Sequence, residues 1–164
     1  MASQKTSRRA SPQDAIALLK EDHETMRELL SKLEEAEGQA RQSTLKTIEH
    51  ELKVHTQIEE DIFYPAFREA AEKEDDKELY FEALEEHHVV DLVLPEIKET
   101  APDAEEFPAK AKVLKDLVEH HAEEEETEMF PRARKLMDRA QLMELGQQLA
   151  QAKASLNEGP KARR

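Results

Sequence analysis

The sequence predicts an all-α protein: an up-down-up-down four-helix bundle with an additional C-terminal helix. Three observations lead there. Of 164 residues, 38% are apolar and another 38% charged, with three glycines and no tryptophan, the balance of helices with narrow buried stripes. Apolar residues recur at three- and four-residue spacing along most of the chain. Third, the second half repeats the first. His55-Thr56-Gln57-Ile58-Glu59-Glu60-Asp61-Ile62-Phe63-Tyr64-Pro65 returns as His121-Ala122-Glu123-Glu124-Glu125-Glu126-Thr127-Glu128-Met129-Phe130-Pro131, with histidine, carboxylate, second glutamate, aromatic and proline at matching offsets. Two such helical hairpins facing each other close a four-helix bundle.

In chain order, residues 1–10 read as a disordered basic arm. Ser11 as N-cap, Pro12 at the first helical position and Asp14 open the first helix. Its stripe of Ile16, Leu19, His23, Met26, Leu30 and Leu33 ends at Gly38. A second helix runs from about Arg41 to Lys73 with Leu45, Ile48, Leu52, His55, Glu59, Ile62 and Phe67 inward, kinked at Pro65. Asp75-Asp76 opens a third, containing Leu79, Leu84, His87, Val90 and Leu94, which Pro95 bends or ends. After an irregular connection to Phe107, a fourth runs from about Ala109 past Leu114, Val118 and His121 toward Met137, kinked at Pro131. These segments form a bundle over residues 11–138. A C-terminal amphipathic helix follows over 139–157, and a basic tail over 158–164. The fifth helix either covers a bundle face or pairs with a second copy in a homodimer.

Four residues advance a helix by about 400°, so His55 and Glu59 share one face, as do His121 and Glu125. An imidazole and a carboxylate aimed into an apolar interior must be paired or hold a metal. His23 and His87 lie on the stripes of the intervening helices, each with an apolar residue three on and a leucine seven on. Bundle packing brings His23, His55, Glu59, His87, His121 and Glu125 to one level. Two carboxylates can each bridge a pair of metal ions while two imidazoles cap each ion, and the cations neutralise the buried anions. The alternative is a bundle of metal-free His–Glu pairs, in which both copies must satisfy themselves without a cation. Other patterns fail: His50 and His55 are five apart rather than four, which excludes the zinc-protease motif, and Glu-x-x-His occurs once rather than twice among the bundle helices.

Composition narrows the chemistry. Cysteine is absent, which removes disulfides, thiol nucleophiles, iron–sulfur clusters and thiolate zinc sites. Imidazole and oxygen ligands suit iron, manganese or zinc. The net charge of -14 argues against nucleic acid and anionic membranes as partners. No apolar run approaches spanning length and no secretory signal is visible, so a cytoplasmic location is expected.

From about Ala15 to Met137 the sequence resembles the hemerythrin-like family, the hemerythrin HHE cation-binding domain. The resemblance rests on Asp22-His23, His55-x3-Glu59-Glu60 with Ile62-Phe63-Tyr64-Pro65, Glu86-His87, and His121-x3-Glu125-Glu126 with Met129-Phe130-Pro131. It implies two non-haem iron ions bridged by the glutamates and by an oxo or hydroxo group. It also implies small-molecule partners, namely dioxygen, peroxide or nitric oxide, with catalase-like peroxide turnover as the compatible enzymatic activity. The alternative role is a non-catalytic protein that buffers or senses iron. Oxygen-carrying hemerythrins resemble this pattern but place a further histidine four residues after the first in the third helix, where this chain has Asp91. A position is then left open unless Asp91, Glu60 or water closes it, and oxidation by dioxygen is expected over reversible carriage. Glu60 and Glu126 are spare ligands in this reading, His88 and His120 lie about 100° round the helix from the proposed ligands, and His50 is an exposed helix residue.

Overall fold

A computed structural model describes residues 11–159; the expected basic arm over 1–10 and the tail from 160 onward lie outside that range. Helix α1 spans Ala15–Glu35. Its cap is Asp14 rather than Ser11: the carboxylate accepts the Ala17 N–H at 2.8 Å and also takes Arg134 at 3.1 Å. An aspartate there satisfies an orphan N–H and sets a negative charge at the positive end of the helix, and Pro12 stays outside. Gly38 does not end α1, which closes at Ala36; it sits at φ +51, where a side chain would be strained, and starts α2, Gln39–Ile58.

The second rod is not one continuous α-helix. After α2 comes a π-turn, Glu59–Phe63, and then α3, Tyr64–Ala70. The Tyr64 N–H reaches back five residues to the Glu59 carbonyl. The fourth rod does the same: α5 (Phe107–Glu124), a π-turn over Glu125–Met129, then α6 (Phe130–Leu136), with the Phe130 N–H on the Glu125 carbonyl. Pro65 and Pro131 stand two residues past the end of each π-turn. A proline inside a helix lacks its N–H and crowds the carbonyl four residues back. Widening the preceding turn relieves that crowding, so the expected kinks take the form of π-bulges.

The third rod, α4 (Glu74–Glu99), carries Pro95 internally and continues one further turn beyond it. The carbonyl deprived of a partner belongs to Asp91, which is exposed to solvent. Asp76 in the first turn of α4 is fully buried and accepts Arg132 Nε of α6 at 2.6 Å, which ties the third rod to the fourth. Helix α7, Arg139–Glu158, opens with a capping box made by Asp138 and Gln141.

Rods α1, α2, α4 and α5 pack in a ring, each against its neighbours, and α7 lies outside against α1 and α2. The interior has two apolar halves. One gathers Ile16, Leu19, Phe63, Phe67, Phe130 and the inner face of α7. The other gathers Met26, Leu30, Leu45, Ile48, Leu94, Phe107 and Leu114. Between them, at the level of His23, runs a polar layer, and there the functional residues lie.

Gly146 in α7 meets the start of α1 so closely that a Cβ would lie 2.1 Å from the Gln13 carbonyl oxygen and 2.8 Å from the Asp14 carbonyl carbon. Neither obstacle is a flexible side chain. Gly146→Ala would gain about 1 kcal/mol of helix propensity, yet overpacking against backbone costs about 1–3 kcal/mol. Urea denaturation is expected to show a net loss of stability, and a stabilised variant would contradict this packing.

Candidate metal centre

All six residues expected at the centre are buried and face one another: His23 from α1, His55 from α2, Glu59 at the head of the first π-turn, His87 from α4, His121 from α5 and Glu125 at the head of the second. Their ligand atoms form two adjoining groups. His23, His55, Glu59 and Glu125 supply four atoms within 4.8 Å of one another, and Glu59, His87 and His121 supply a second such set. Glu59 belongs to both, with Oε1 3.1 Å from His55 Nε2 and Oε2 3.2 Å from His87 Nε2. Glu125 Oε2 lies 3.1 Å from His23 Nε2 and 3.6 Å from His121 Nε2.

Every inward-facing nitrogen is an Nε2, and every Nδ1 faces outward to a carboxylate. His23 Nδ1 meets Glu126 and His87 Nδ1 meets Glu60, each at 2.7 Å. His55 Nδ1 meets Asp22 at 3.3 Å and His121 Nδ1 meets Glu86 at 2.5 Å. An ionised carboxylate only accepts, so each Nδ1 carries a hydrogen and each Nε2 is turned inward as the remaining site. The internal repeat extends to these supports. Asp22 and Glu86 immediately precede a histidine of the centre, and Glu60 and Glu126 immediately follow its glutamates. Glu60 and Glu126, read from sequence as spare ligands, thus sit behind the histidines. Asp91 is exposed, His88 is exposed, and His120 lies at the surface 3.6 Å from Glu86.

Tyr64 belongs to this layer and was not singled out as a site residue by the sequence. Its hydroxyl donates to Glu125 Oε1 at 2.7 Å and lies 3.3 Å from Glu59 Oε2 and 3.2 Å from His87 Nε2. In an α-helix residues five apart diverge; the wider π-turn stacks them, and so carries Tyr64 over Glu59. At the matching offset the other half has Phe130, and the correspondence reaches the rings: Tyr64 stacks on His87 at 5.4 Å and Phe130 on His23 at 5.7 Å. That single hydroxyl is a chemical difference between the two sides, and the Tyr-Pro against Phe-Pro mismatch in the repeat was its sequence signal.

Electrostatics follow from two buried carboxylates. Burial alone pushes the His55 imidazolium toward neutrality, but the Glu59 charge, hydrogen bonds to Asp22 and Glu59, and the Glu125 charge raise its pKa from 6.5 to about 10. His121 is likewise raised to about 9: burial opposes, and Glu125, the Glu86 hydrogen bond and Glu59 prevail. Burial would raise Glu59, yet the neighbouring His55 and His87 hold it well below the usual carboxylate range. Burial and then the charges of Glu125 and Glu59 push Tyr64 well above the usual phenol range.

This donor set fits a metal ion. Among the described residues, five buried side-chain atoms make no well-aligned hydrogen bond, and four of them are His23 Nε2, His55 Nε2, Glu59 Oε1 and Glu125 Oε2, which lie in two close histidine–glutamate contacts of the first group. Buried polar atoms are rarely left orphaned, and four converging on one point fit a cation. Against the histidines lies a small cavity of about 30 Å³, lined by all four imidazoles with Met26, Leu52, Val90 and Val118. One water needs about 10–15 Å³ of such space, so a molecule of two heavy atoms fits and little more.

The raised pKa values set a pH dependence for the metal-free protein. His55 and His121 bind protons more tightly folded than unfolded, so their stabilisation is complete below about pH 6.5 and is lost as pH rises through about 9 and 10. Glu59 acts oppositely, and its contribution fades as pH falls below its ordinary 4.5. Thermal melts of metal-stripped protein are expected to show Tm declining from pH 7 to pH 10, and a flat profile would mean the imidazolium–carboxylate pairs are not formed.

The hemerythrin HHE cation-binding domain model matches residues 14–133. The crystal structure of a hemerythrin HHE cation-binding domain-containing protein from Mycobacterium kansasii superposes with a TM-score of 0.79 at 28% identity, covering 89% of this chain and 88% of that one. A DNA nickase of Nostoc sp. is 28% identical over 147 residues, which is 89% of this chain but 40% of the nickase, so the chain spans about two fifths of that relative. With the fold, the clustered histidines and glutamates and the matched span in agreement, this chain belongs to the hemerythrin HHE cation-binding domain family.

Proposed function

We propose that the protein is a non-haem di-iron protein acting on dioxygen, peroxide or nitric oxide, with His23, His55, Glu59, His87, His121 and Glu125 as the ligands. The observation that carries the reading is the convergence of four orphaned buried atoms from three rods beside a second group that shares Glu59. His23 and His55 would hold one ion, His87 and His121 the other, and Glu59 and Glu125 both. When bound, the ions supply the redox capacity that the side chains lack.

The chain's own residues do the rest. The outer carboxylates lock each imidazole in one tautomer and orientation. The Tyr64 hydroxyl, donating to Glu125, occupies the space beside His87. Phe130 leaves the matching space beside His23 without a donor, so the more open position is the one on the α1 and α2 side. The apolar cavity admits small uncharged ligands and excludes bulk water. Neither Asp91, exposed on α4, nor Glu60, behind His87, is placed to complete the coordination, and this favours reaction over reversible oxygen carriage. The nickase named among the relatives is much longer, and with a net charge of -14 this chain is a poor match for a phosphate backbone.

The test is a metal count with a visible spectrum on aerobically purified protein. Two irons per chain with oxo-bridged ferric bands are expected; colourless protein with weakly held, exchangeable metal would move the assignment to iron buffering. Glu59→Ala or Glu125→Ala is expected to lose both ions, since each carboxylate serves both, whereas His88→Ala keeps them. Retention of one full iron in Glu59→Ala would show that Glu59 does not bridge.

A further inference from the structure

Helix α7 is not a member of the four-rod ring, yet it reaches the centre. Lys153 Nζ meets Asp22 Oδ1, while Asp22 Oδ2 faces His55 Nδ1 at 3.3 Å. Asp22 is buried, and a carboxylate withdrawn from water needs a partner of opposite charge or a donor on each oxygen. It has two, the imidazole and this lysine, one on each carboxylate oxygen.

The register of α7 is imposed. Gly146 presses on the backbone at Asp14 and Ala15, and Lys153, seven residues on, meets Asp22, seven beyond Ala15. Seven residues are two helical turns, so α7 runs beside α1 in the same direction with the two contacts stacked. Further along, Asn157 Oδ1 lies 2.9 Å from His50 Nε2 of α2. Leu142 and Leu149 on either side of Gly146 anchor α7 in the core.

Among the described residues, no lysine pairs with the matching carboxylate of the other half. Glu86 takes the place of Asp22 behind His121, and its neighbours are His120 at 3.6 Å and Glu124. The pair of supports is therefore matched in geometry and mismatched in charge.

We propose that Lys153 is a positioning residue of the metal centre: it holds Asp22 against His55 and thereby makes the ion position on the α1 and α2 side depend on α7. This rests on the di-iron reading above. Without the ammonium group Asp22 loses the partner that holds its carboxylate turned toward His55. His55 Nδ1 then loses a fixed acceptor, and its Nε2 is no longer held toward Glu59. Loss of an outer support typically weakens metal affinity by about 10–100-fold, and here the loss falls on one ion of the two.

The experiment is chelator competition on the full-length protein loaded with two equivalents of cobalt(II) or iron(II), for wild type, Lys153→Met, Lys153→Arg and Glu86→Gln. Methionine keeps much of the apolar stem and removes the charge. In Lys153→Met, one equivalent is expected to leave about 10–100-fold more readily while the other keeps its wild-type affinity. Lys153→Arg should restore two tight equivalents, and Glu86→Gln should weaken one ion while leaving Lys153→Met-type loss additive in the double variant. Both ions unchanged in Lys153→Met, or both weakened alike, overturns the proposal. So does a lower Tm of the metal-free variant with metal affinities intact, which would make the contact merely structural. Wild type that binds no metal would instead overturn the di-iron reading itself, and this inference with it.

Discussion

Glu59 and Glu125 stand in the middle of a helical bundle, essentially inaccessible to water, and both reach the same tyrosine hydroxyl. Two carboxylates in that position repel each other and have lost their hydration, so compensating positive charge must be supplied from within the protein. Two of the four imidazoles, His55 and His121, provide it. In the metal-free chain the compensation is protonic, with His55 and His121 held as imidazolium far above their ordinary pKa. The extra proton resides on Nε2, the atom that would otherwise face a cation, so protons and metal ions compete for the same places. The polar layer that divides the apolar core in two is the consequence of this one constraint.

The support of the layer is exchanged between the halves. His23, in the first half, is backed by Glu126 of the second, and His87, in the second, by Glu60 of the first. His55 and His121 are backed from within their own halves, by Asp22 and Glu86. Neither hairpin therefore holds a complete set of oriented imidazoles by itself, and the centre forms only when the hairpins meet. The two prolines contribute at a distance. By forcing π-turns that begin at Glu59 and Glu125, they shift the register beyond each glutamate by one residue and bring an aromatic ring over a histidine on each side.

The repeat is exact in neither chemistry nor surroundings. Tyr64 places a hydroxyl among the ligand atoms on one side, where Phe130 offers only a ring face on the other. Asp22 is paired with a lysine from outside the ring, while Glu86 lies among further acidic and imidazole groups. A small, largely apolar cavity reaches all four imidazoles.

Helical class, the four-rod ring and the six converging residues were legible in the sequence because helical periodicity is local and the His-x3-Glu pair occurs twice. A duplicated pattern also states which residues must meet, since both copies face the same core. What the sequence left undecided depended on contacts between distant segments or on departures from α-helical geometry. Asp14 rather than Ser11 is the cap, and its carboxylate is shared with Arg134, 120 residues away. Tyr64 entered the layer because a π-turn, which no 3.6-residue pattern anticipates, moved it there. Glu60 and Glu126 read as spare ligands because an outward turn of the helix cannot be told from an inward one without the neighbouring rod in place. The fifth helix was expected over a bundle face or against a second copy, and in the structure it packs on α1 and α2. Its course was settled by a missing Cβ at Gly146 and a lysine meeting Asp22, contacts that exist only once the tertiary structure brings those backbones together.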